Sequence, residues 1–360
     1  MDIAVNLAKK GIGKTSPNPA VGAVVVKNNR IIGKGCHKKA GLPHGEIIAL
    51  NNSGTRAKGA DLYVTLEPCD HYGRTPPCTE AVIRSGIKRV FIGMKDPNPI
   101  VSGRGIRKLK KNNIEVKTGI LEHECKEINE PYIKYITTKK PFVTLKLAST
   151  LDGKIAASSG ESKWITSEKS REYVHKLRSN ADAVMVGIGT VLKDNPFLTV
   201  RLKTKRPAAI GPRQPVRIVV DSKLKIPLDA NVFDAKAAKL IIAATKNATP
   251  KKIKQVRERG AEVVLVDSKD GHVDLKKLMH ELGKREITSI LIEGGARLAA
   301  SAIKDGIADK VLIFYAPLLL GGNGIQMISS LGIKRLKDAV HLKNIQVKRI
   351  GKDVLLEGIL

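Results

Sequence analysis

One histidine, two cysteines and a glutamate dominate the chemistry of the first third of the chain. His44-Gly45-Glu46 opens the stretch, and Cys69 and Cys78 close it. Imidazole and thiolate are zinc ligands. Three protein ligands leave one tetrahedral position for water, the pattern of a catalytic rather than a structural zinc. Zinc lowers the pKa of such a water from roughly 16 to about 7. Glu46 is then the residue to take the water's proton and pass it to a departing nitrogen. The set points to a zinc hydrolase acting on an amidine-like group, a deaminase first among them. A closed zinc knot with His71 as fourth ligand is the competing reading, and it leaves Glu46 without a role. Otherwise His71, inside the loop between the cysteines, lines the substrate pocket. Asn18, held between Pro17 and Pro19, either presents its amide to a heterocycle edge or simply turns the chain.

The elements around these residues must bring them together. Residues two apart do not share a helix face. His44 and Glu46 reach one site only if the histidine stands where a helix predicted over 44–51 has not yet become helical. Cys69 follows a strand predicted over 60–66, and Cys78 begins a helix over 79–85. A helix over 2–10, a hairpin of 21–26 with 30–35, a strand over 88–93, a helix over 105–112 and a strand over 115–119 complete an alternating α/β pattern. Residues 126–140, with Pro131 and Lys139-Lys140-Pro141, read as a junction, giving domains 1–140 and 141–360.

The second half restarts with a strand over 142–147 and a hairpin signal at Asp152-Gly153. A helix is predicted over 168–180, and strands over 183–186, 216–220, 240–245 and 263–266. A further strand over 289–292 feeds Glu293-Gly294-Gly295 and a helix over 297–304. Strand, double glycine and helix start suit the phosphates of a dinucleotide, or make a tight turn. Residues 311–319 read as a core strand and 345–359 as a closing hairpin.

Composition narrows the class. At 360 residues with 42% apolar and 27% charged residues, the chain reads as a two-domain soluble globular protein. No apolar run approaches the roughly 20 residues of a membrane span, and a cytoplasmic location follows. Four cysteines make no disulfide framework. The net charge of +30 is spread over both halves. It would attract phosphorylated substrates or nucleic acid, or it is a lysine-rich bias on solvated faces. With 3% aromatic residues a base-stacking surface is poorly supplied, so nucleic acid is not the expected partner.

At this point the first 120 residues resemble a known family. Zinc deaminases usually separate their cysteines by two residues; here eight intervene. That longer loop, with His71 and Gly73-Arg74-Thr75-Pro76-Pro77, is similar to the deaminase half of bacterial bifunctional riboflavin biosynthesis enzymes. So are Pro17-Asn18-Pro19-Ala20-Val21-Gly22 and Asp96-Pro97-Asn98-Pro99. Residues 141–350 resemble the reductase half. The matching stretches are Lys146 to Lys154, Ser162 to Thr166, Asp194 to Thr199 with Arg201, Asp221-Ser222 and Glu293-Gly294-Gly295.

The resemblance implies a three-layer α/β/α domain of the cytidine-deaminase kind followed by an α/β domain like dihydrofolate reductase. It implies zinc and NADPH as cofactors, a ribosylamino diaminopyrimidinone 5′-phosphate as substrate, and a homo-oligomer. Deamination would be followed by NADPH-dependent reduction of the ribosyl group to ribityl. By position, Ala148, Trp164, Thr190, Asp194, Ser222, Gly295, Ala296 and Arg297 would contact NADPH. Ser162, Arg178, Leu198, Arg201 and Glu293 would hold the substrate, with Lys146 and Lys154 stabilising charge. Arg178 and Arg201 suit phosphate, because guanidinium forks match its oxygens. Trp164, the single tryptophan, is equally a candidate core anchor. The alternative function is an RNA or nucleobase deaminase with an auxiliary nucleotide-binding domain.

Overall fold

A computed structural model of the chain describes residues 1–72, 76–202, 213–234 and 238–360. Gly73-Arg74-Thr75 of the cysteine loop therefore lie outside the described residues. The chain divides into two units, Met1–Lys139 and Lys140–Leu360.

The first unit runs α1 (Asp2–Ala8), β1 (Gly22–Lys27), β2 (Arg30–Cys36), α2 (Gly45–Ser53), β3 (Asp61–Leu66) and α3 (Cys78–Arg84). It continues with β4 (Arg89–Met94), α4 (Arg104–Lys111), β5 (Glu115–Thr118), α5 (Glu122–Ile128) and α6 (Glu130–Thr138). Its sheet has the order β2-β1-β3-β4-β5. The first three strands pair antiparallel and the last three parallel.

Two glycines show how helices reach both faces. A Cβ on Gly22 would lie 2.0 Å from the Ala4 carbonyl of α1, and one on Gly35 2.1 Å from the Gly45 carbonyl of α2. Gly35 pairs with Ala23, the neighbour of Gly22. Successive strand residues point to opposite faces, so α1 and α2 cover opposite sides and the unit is three-layered. The close approach at Gly35 seats the first turn of α2, which carries Glu46, directly on the sheet.

The junction expected over residues 126–140 is instead helical and belongs to the first unit. Pro131 occupies the first turn of α6, where its missing N–H leaves no helix bond unmade. Between α5 and α6, the buried Asn129 side chain bonds both the N–H and the carbonyl of Ala20, 2.8 and 3.1 Å away.

The second unit begins with β6 (Phe142–Thr150), β7 (Lys154–Ala156), α7 (Glu168–Asn180), β8 (Ala183–Gly187), α8 (Ile188–Asp194) and β9 (Val216–Val220). Then come β10 (Leu240–Thr245), α9 (Pro250–Glu258), β11 (Glu262–Val266), β12 (Ser268–Lys269), β13 (His272–Val273) and α10 (Leu275–Lys284). The chain ends with β14 (Ser289–Glu293), α11 (Ala296–Lys304), β15 (Lys310–Ala316), β16 (Ile325–Gln326), β17 (Lys343–Ile350) and β18 (Asp353–Ile359). Nine strands make one sheet in the order β11-β10-β9-β8-β14-β6-β15-β18-β17. It is parallel from β11 to β15 and antiparallel at β18 and β17.

Asp152-Gly153 does make a turn, with Gly153 N–H donating to the Thr150 carbonyl. It does not fold β7 back on β6, because β7 pairs with β16. The Asp152 carboxylate accepts from the N–H groups of Leu320 and Gly321 and so ties this turn to the loop after β15. Among the described residues no helix is long and apolar enough to cross a membrane.

Candidate zinc centre and reductase site

His44 is the residue immediately before α2, extended at φ −69° and ψ 162°. That non-helical backbone turns its imidazole toward the side chains of Cys69, just past β3, and Cys78, the first residue of α3. His44 Nδ1 lies 3.2 Å from Cys78 Sγ and 3.7 Å from Cys69 Sγ. Ligands on a zinc tetrahedron stand roughly 3.6–3.8 Å apart, given bonds of about 2.0–2.3 Å. Among the described residues, this donor group contains His44, Cys69 and Cys78. His71 is exposed and outside the group, so the closed knot finds no fourth ligand there.

Hydrogen bonding with Cys78 draws the Cys69 thiol down to about 4, with His44 assisting. The same contact and burial push Cys78 up. A proton shared between two thiols this close is what a divalent cation would displace. Glu46 is buried, and among the described residues its Oε2 has no hydrogen-bond partner. Burial raises its carboxyl above the usual range, with His44 opposing. Two thiols, an imidazole and an orphaned carboxylate oxygen fit zinc plus a water.

A second layer holds this cluster. Cys78 N–H donates to Cys69 Sγ and Thr79 N–H to the Cys69 carbonyl. Asp70 accepts from Thr79 Oγ1 and Lys108 Nζ at 2.8 and 2.6 Å. His37 is buried. Its ring meets His44 edge-on at 5.2 Å and its Nε2 lies 3.3 Å from Asn18 Nδ2. Asn18 is thereby tied to the zinc-ligand region. Sequence reasoning missed His37; its one cue is a histidine just past the strand that pairs with the one after Asn18.

In the second unit Thr190, Ser222 and Glu293 to Arg297 lie at or just past the carboxyl ends of the parallel strands β8, β9 and β14, where α/β sheets bind ligands. Gly294 and Gly295, at φ 69° and 81°, lead into α11, which Ala296 and Arg297 begin. Among the described residues a Cβ on either glycine would meet, within 4 Å, only Thr190, its Oγ1 3.5 and 3.3 Å away. Thr190 and the double glycine therefore share one open cradle, suited to a dinucleotide's phosphates. Asp194 ends α8 and Ser222 follows β9. Ser222 Oγ already accepts from Val273 N–H at 3.1 Å.

Lys146 and Glu293 are cross-strand partners on β6 and β14. Lys146 Nζ stands 5.7 Å from the centre of the Phe314 ring. Burial lowers its pKa, with Glu293 opposing and Arg178 adding to the fall. Arg178 forks onto Glu293 through Nε and Nη2 at 2.5 and 2.9 Å, and its Nη1 donates to the Thr199 carbonyl. The open phosphate clamp imagined for Arg178 is thus engaged by a carboxylate, while Arg201 is exposed. Burial alone would raise Glu293; Arg178 and Lys146 more than offset it and hold it low.

Leu198 is buried at φ 56°, and Ser162 and Ala148 are half-buried. Lys154 is buried, its stem packed against Gly324. Trp164 is 68% exposed with the Arg171 guanidinium 4.5 Å over its ring, so it is not a core anchor.

Residues 1–94 match the cytidine and deoxycytidylate deaminase zinc-binding region, and residues 141–356 match the RibD C-terminal domain. The riboflavin biosynthesis protein RibD of Aquifex aeolicus is 45% identical over 99% of this chain and 96% of its own length. That of Bacillus amyloliquefaciens is 44% identical over 100% and 95%. Among solved structures, a diaminohydroxyphosphoribosylaminopyrimidine deaminase/5-amino-6-(5-phosphoribosylamino)uracil reductase from Thermotoga maritima superimposes with TM-score 0.86. It has 41% identity and covers 100% of this chain and 97% of its own. Acinetobacter baumannii RibD gives a TM-score of 0.89 at 36% identity, over 99% and 97%.

Proposed function

This chain belongs to the RibD family of bifunctional riboflavin-biosynthesis deaminase–reductases, and on that premise we propose how its residues divide the two reactions. The chain is a zinc-dependent deaminase in its first unit and an NADPH-dependent, dihydrofolate-reductase-like reductase in its second. We take its substrate to be the diaminopyrimidinone carrying a ribosylamino 5′-phosphate. One observation carries the residue assignment: a buried carboxylate oxygen without a partner, Glu46 Oε2, beside a His/Cys/Cys donor group.

His44, Cys69 and Cys78 hold the zinc, which when bound supplies the Lewis acidity that makes water ionise near neutral pH. Glu46 accepts the proton of the attacking water and delivers it to the departing amino nitrogen, which leaves as ammonia. Asn18 and His71 contact the pyrimidine side of the substrate. In the reductase, NADPH when bound would supply the hydride for the ribosyl carbon bonded to nitrogen. The cradle of Thr190, Gly295, Ala296 and Arg297, with Ala148, Trp164, Asp194 and Ser222, orients that cofactor. Glu293 holds the sugar hydroxyls, and Lys146 and Lys154 place positive charge where the ring oxygen is released. Ser162, Leu198 and Arg201 hold the substrate, Arg201 at its phosphate. Arg178 serves the same pocket by fixing Glu293.

Purified zinc-loaded protein given the diaminopyrimidinone phosphate should release ammonia without NADPH. With NADPH added, absorbance at the nicotinamide band should fall only after ammonia appears. A chelator should stop ammonia release and leave NADPH oxidation on the already deaminated compound intact. Uridine or inosine formed from RNA, with no turnover of the pyrimidinone, would instead establish the RNA or nucleobase deaminase.

We also read the enzyme as a cytoplasmic homo-oligomer. Two thiolate ligands are kept reduced there. Strand β17 forms the outer edge of the nine-stranded sheet, with Ile345 57% and Val347 64% exposed. An exposed edge strand eight residues long offers unpaired backbone groups to another chain. Light scattering on the native enzyme should give a multiple of the chain mass, reduced by Val347→Lys; a monomeric native enzyme would remove this reading.

A further inference from the structure

The segment Leu198–Arg201 leaves the sheet after α8, and its backbone is held by side chains rather than by a strand. Arg178 Nη1 donates to the Thr199 carbonyl at 2.9 Å. Gln214 serves both groups of Val200: its Oε1 accepts the N–H at 2.7 Å and its Nε2 donates to the carbonyl at 3.0 Å. The next group along, Arg201 N–H, donates to His175 Nδ1 at 3.2 Å. His175 and Arg178 stand three apart on α7, so one helix face carries two of these clamps. The buried Leu198 side chain anchors the segment at its start. The last clamped residue, Arg201, is exposed, with its backbone N–H fixed by His175.

We propose that His175 is a positioning residue of the reductase, which aims Arg201 at the substrate's phosphate by accepting the Arg201 backbone N–H on Nδ1. The inference rests on the reading of Arg201 as a phosphate contact. A backbone N–H can only donate, so Nδ1 must carry a lone pair and the ring's proton sits on Nε2. A second proton on Nδ1 would remove the acceptor. The charged groups facing His175 are Arg178 on its own helix, Arg201 in the clamped segment and Glu293 on β14. Burial and the two arginines keep the imidazole neutral, opposed by Glu293 and the Thr199 carbonyl. The acceptor is therefore intact at neutral pH and is lost in acid.

Steady-state reductase kinetics on the full-length, zinc-loaded enzyme test this, using 5-amino-6-(5-phosphoribosylamino)uracil and its dephosphorylated analogue. His175→Ala should raise KM for the phosphorylated compound about three- to tenfold, the range for one lost hydrogen bond. The kcat, the KM for NADPH and the KM for the dephosphorylated analogue should stay at native values. His175→Asn, whose Oδ1 replaces the Nδ1 acceptor, should restore KM. Native KM should also rise as pH falls toward 5.5 by more than in His175→Asn, which retains only the titration of the phosphate itself. Arg201→Ala provides the reference. If Arg201→Ala leaves KM for the phosphorylated compound unchanged, the phosphate reading fails and this inference with it. If Arg201→Ala raises it and His175→Ala does not, or both compounds suffer equally in His175→Ala, the inference alone is overturned.

Discussion

Glu46→Gln is expected to slow ammonia release by about 10²- to 10⁴-fold, the usual contribution of a positioned acid–base group. Zinc content, fold and NADPH oxidation on the deaminated substrate should be unchanged. The amide is nearly isosteric with the carboxylate, so the packing of α2 against β2 at Gly35 survives. What it lacks is a site that can take a proton from water and return it to nitrogen. Among the described residues Glu46 Oε2 has no hydrogen-bond partner, so the amide breaks no bond made by that oxygen. A stability role and a proton-transfer role thus make different predictions. Metal analysis with ammonia release on native and variant enzymes decides between them. A variant that binds zinc and still deaminates within a few-fold of native would eliminate Glu46 as the proton carrier. Loss of zinc together with activity would make it a structural residue instead.

The zinc site was legible in the chain because its chemistry is local. His44 and Glu46 are two apart, and the only way both can serve one site is a histidine held ahead of the first helical turn, as ψ 162° at His44 confirms. Buried parallel strands were also readable: Val216–Val220, apolar but for Arg217, and Leu240–Thr245, apolar up to its final threonine, have the bounds they have in the fold. The misreadings share one cause, which is partnership across long chain distances. Residues 126–140 read as a junction; the units divide at Lys139 and Lys140, but Asn129, bonded to Ala20 109 residues away, ties the earlier part to the first unit. Asp152-Gly153 looks like a hairpin until β7 is seen paired with a strand near residue 325. Nothing near Arg178 announces its fork onto Glu293, 115 residues on. His37 and His175 carry no motif; only the fold shows which backbone group or ring each one meets.

The Arg178–Glu293 fork sets the second large effect. Glu293→Gln should reduce reductase turnover by about 10²-fold or more and leave ammonia release intact. Both side chains are little exposed, at 13% and 11%. Removing the carboxylate charge leaves a buried guanidinium without its counter-ion, a loss of about 3–5 kcal/mol. Calorimetry should therefore show the transition of the reductase unit moving to lower temperature.

The sign of the pH dependence follows from the direction of the shift. Glu293 is held below the usual carboxylate range by Arg178 and Lys146 against the opposing effect of burial. Its contribution is fully present above the unfolded carboxylate value and is lost as pH falls through the lower folded value. Glu293→Gln should lack that acid-dependent fraction, so the stability gap between native and variant narrows as acid is added. Replacing the pair together, Arg178→Met with Glu293→Leu, separates structure from chemistry. Two apolar side chains of similar volume can recover stability that a single broken pair loses, but neither can bind sugar hydroxyls. Recovered melting temperature without recovered NADPH oxidation is the expected result. A double variant that regained turnover would place Glu293 in the scaffold alone. A single variant as stable as native would mean the fork, though close in geometry, carries little of the fold.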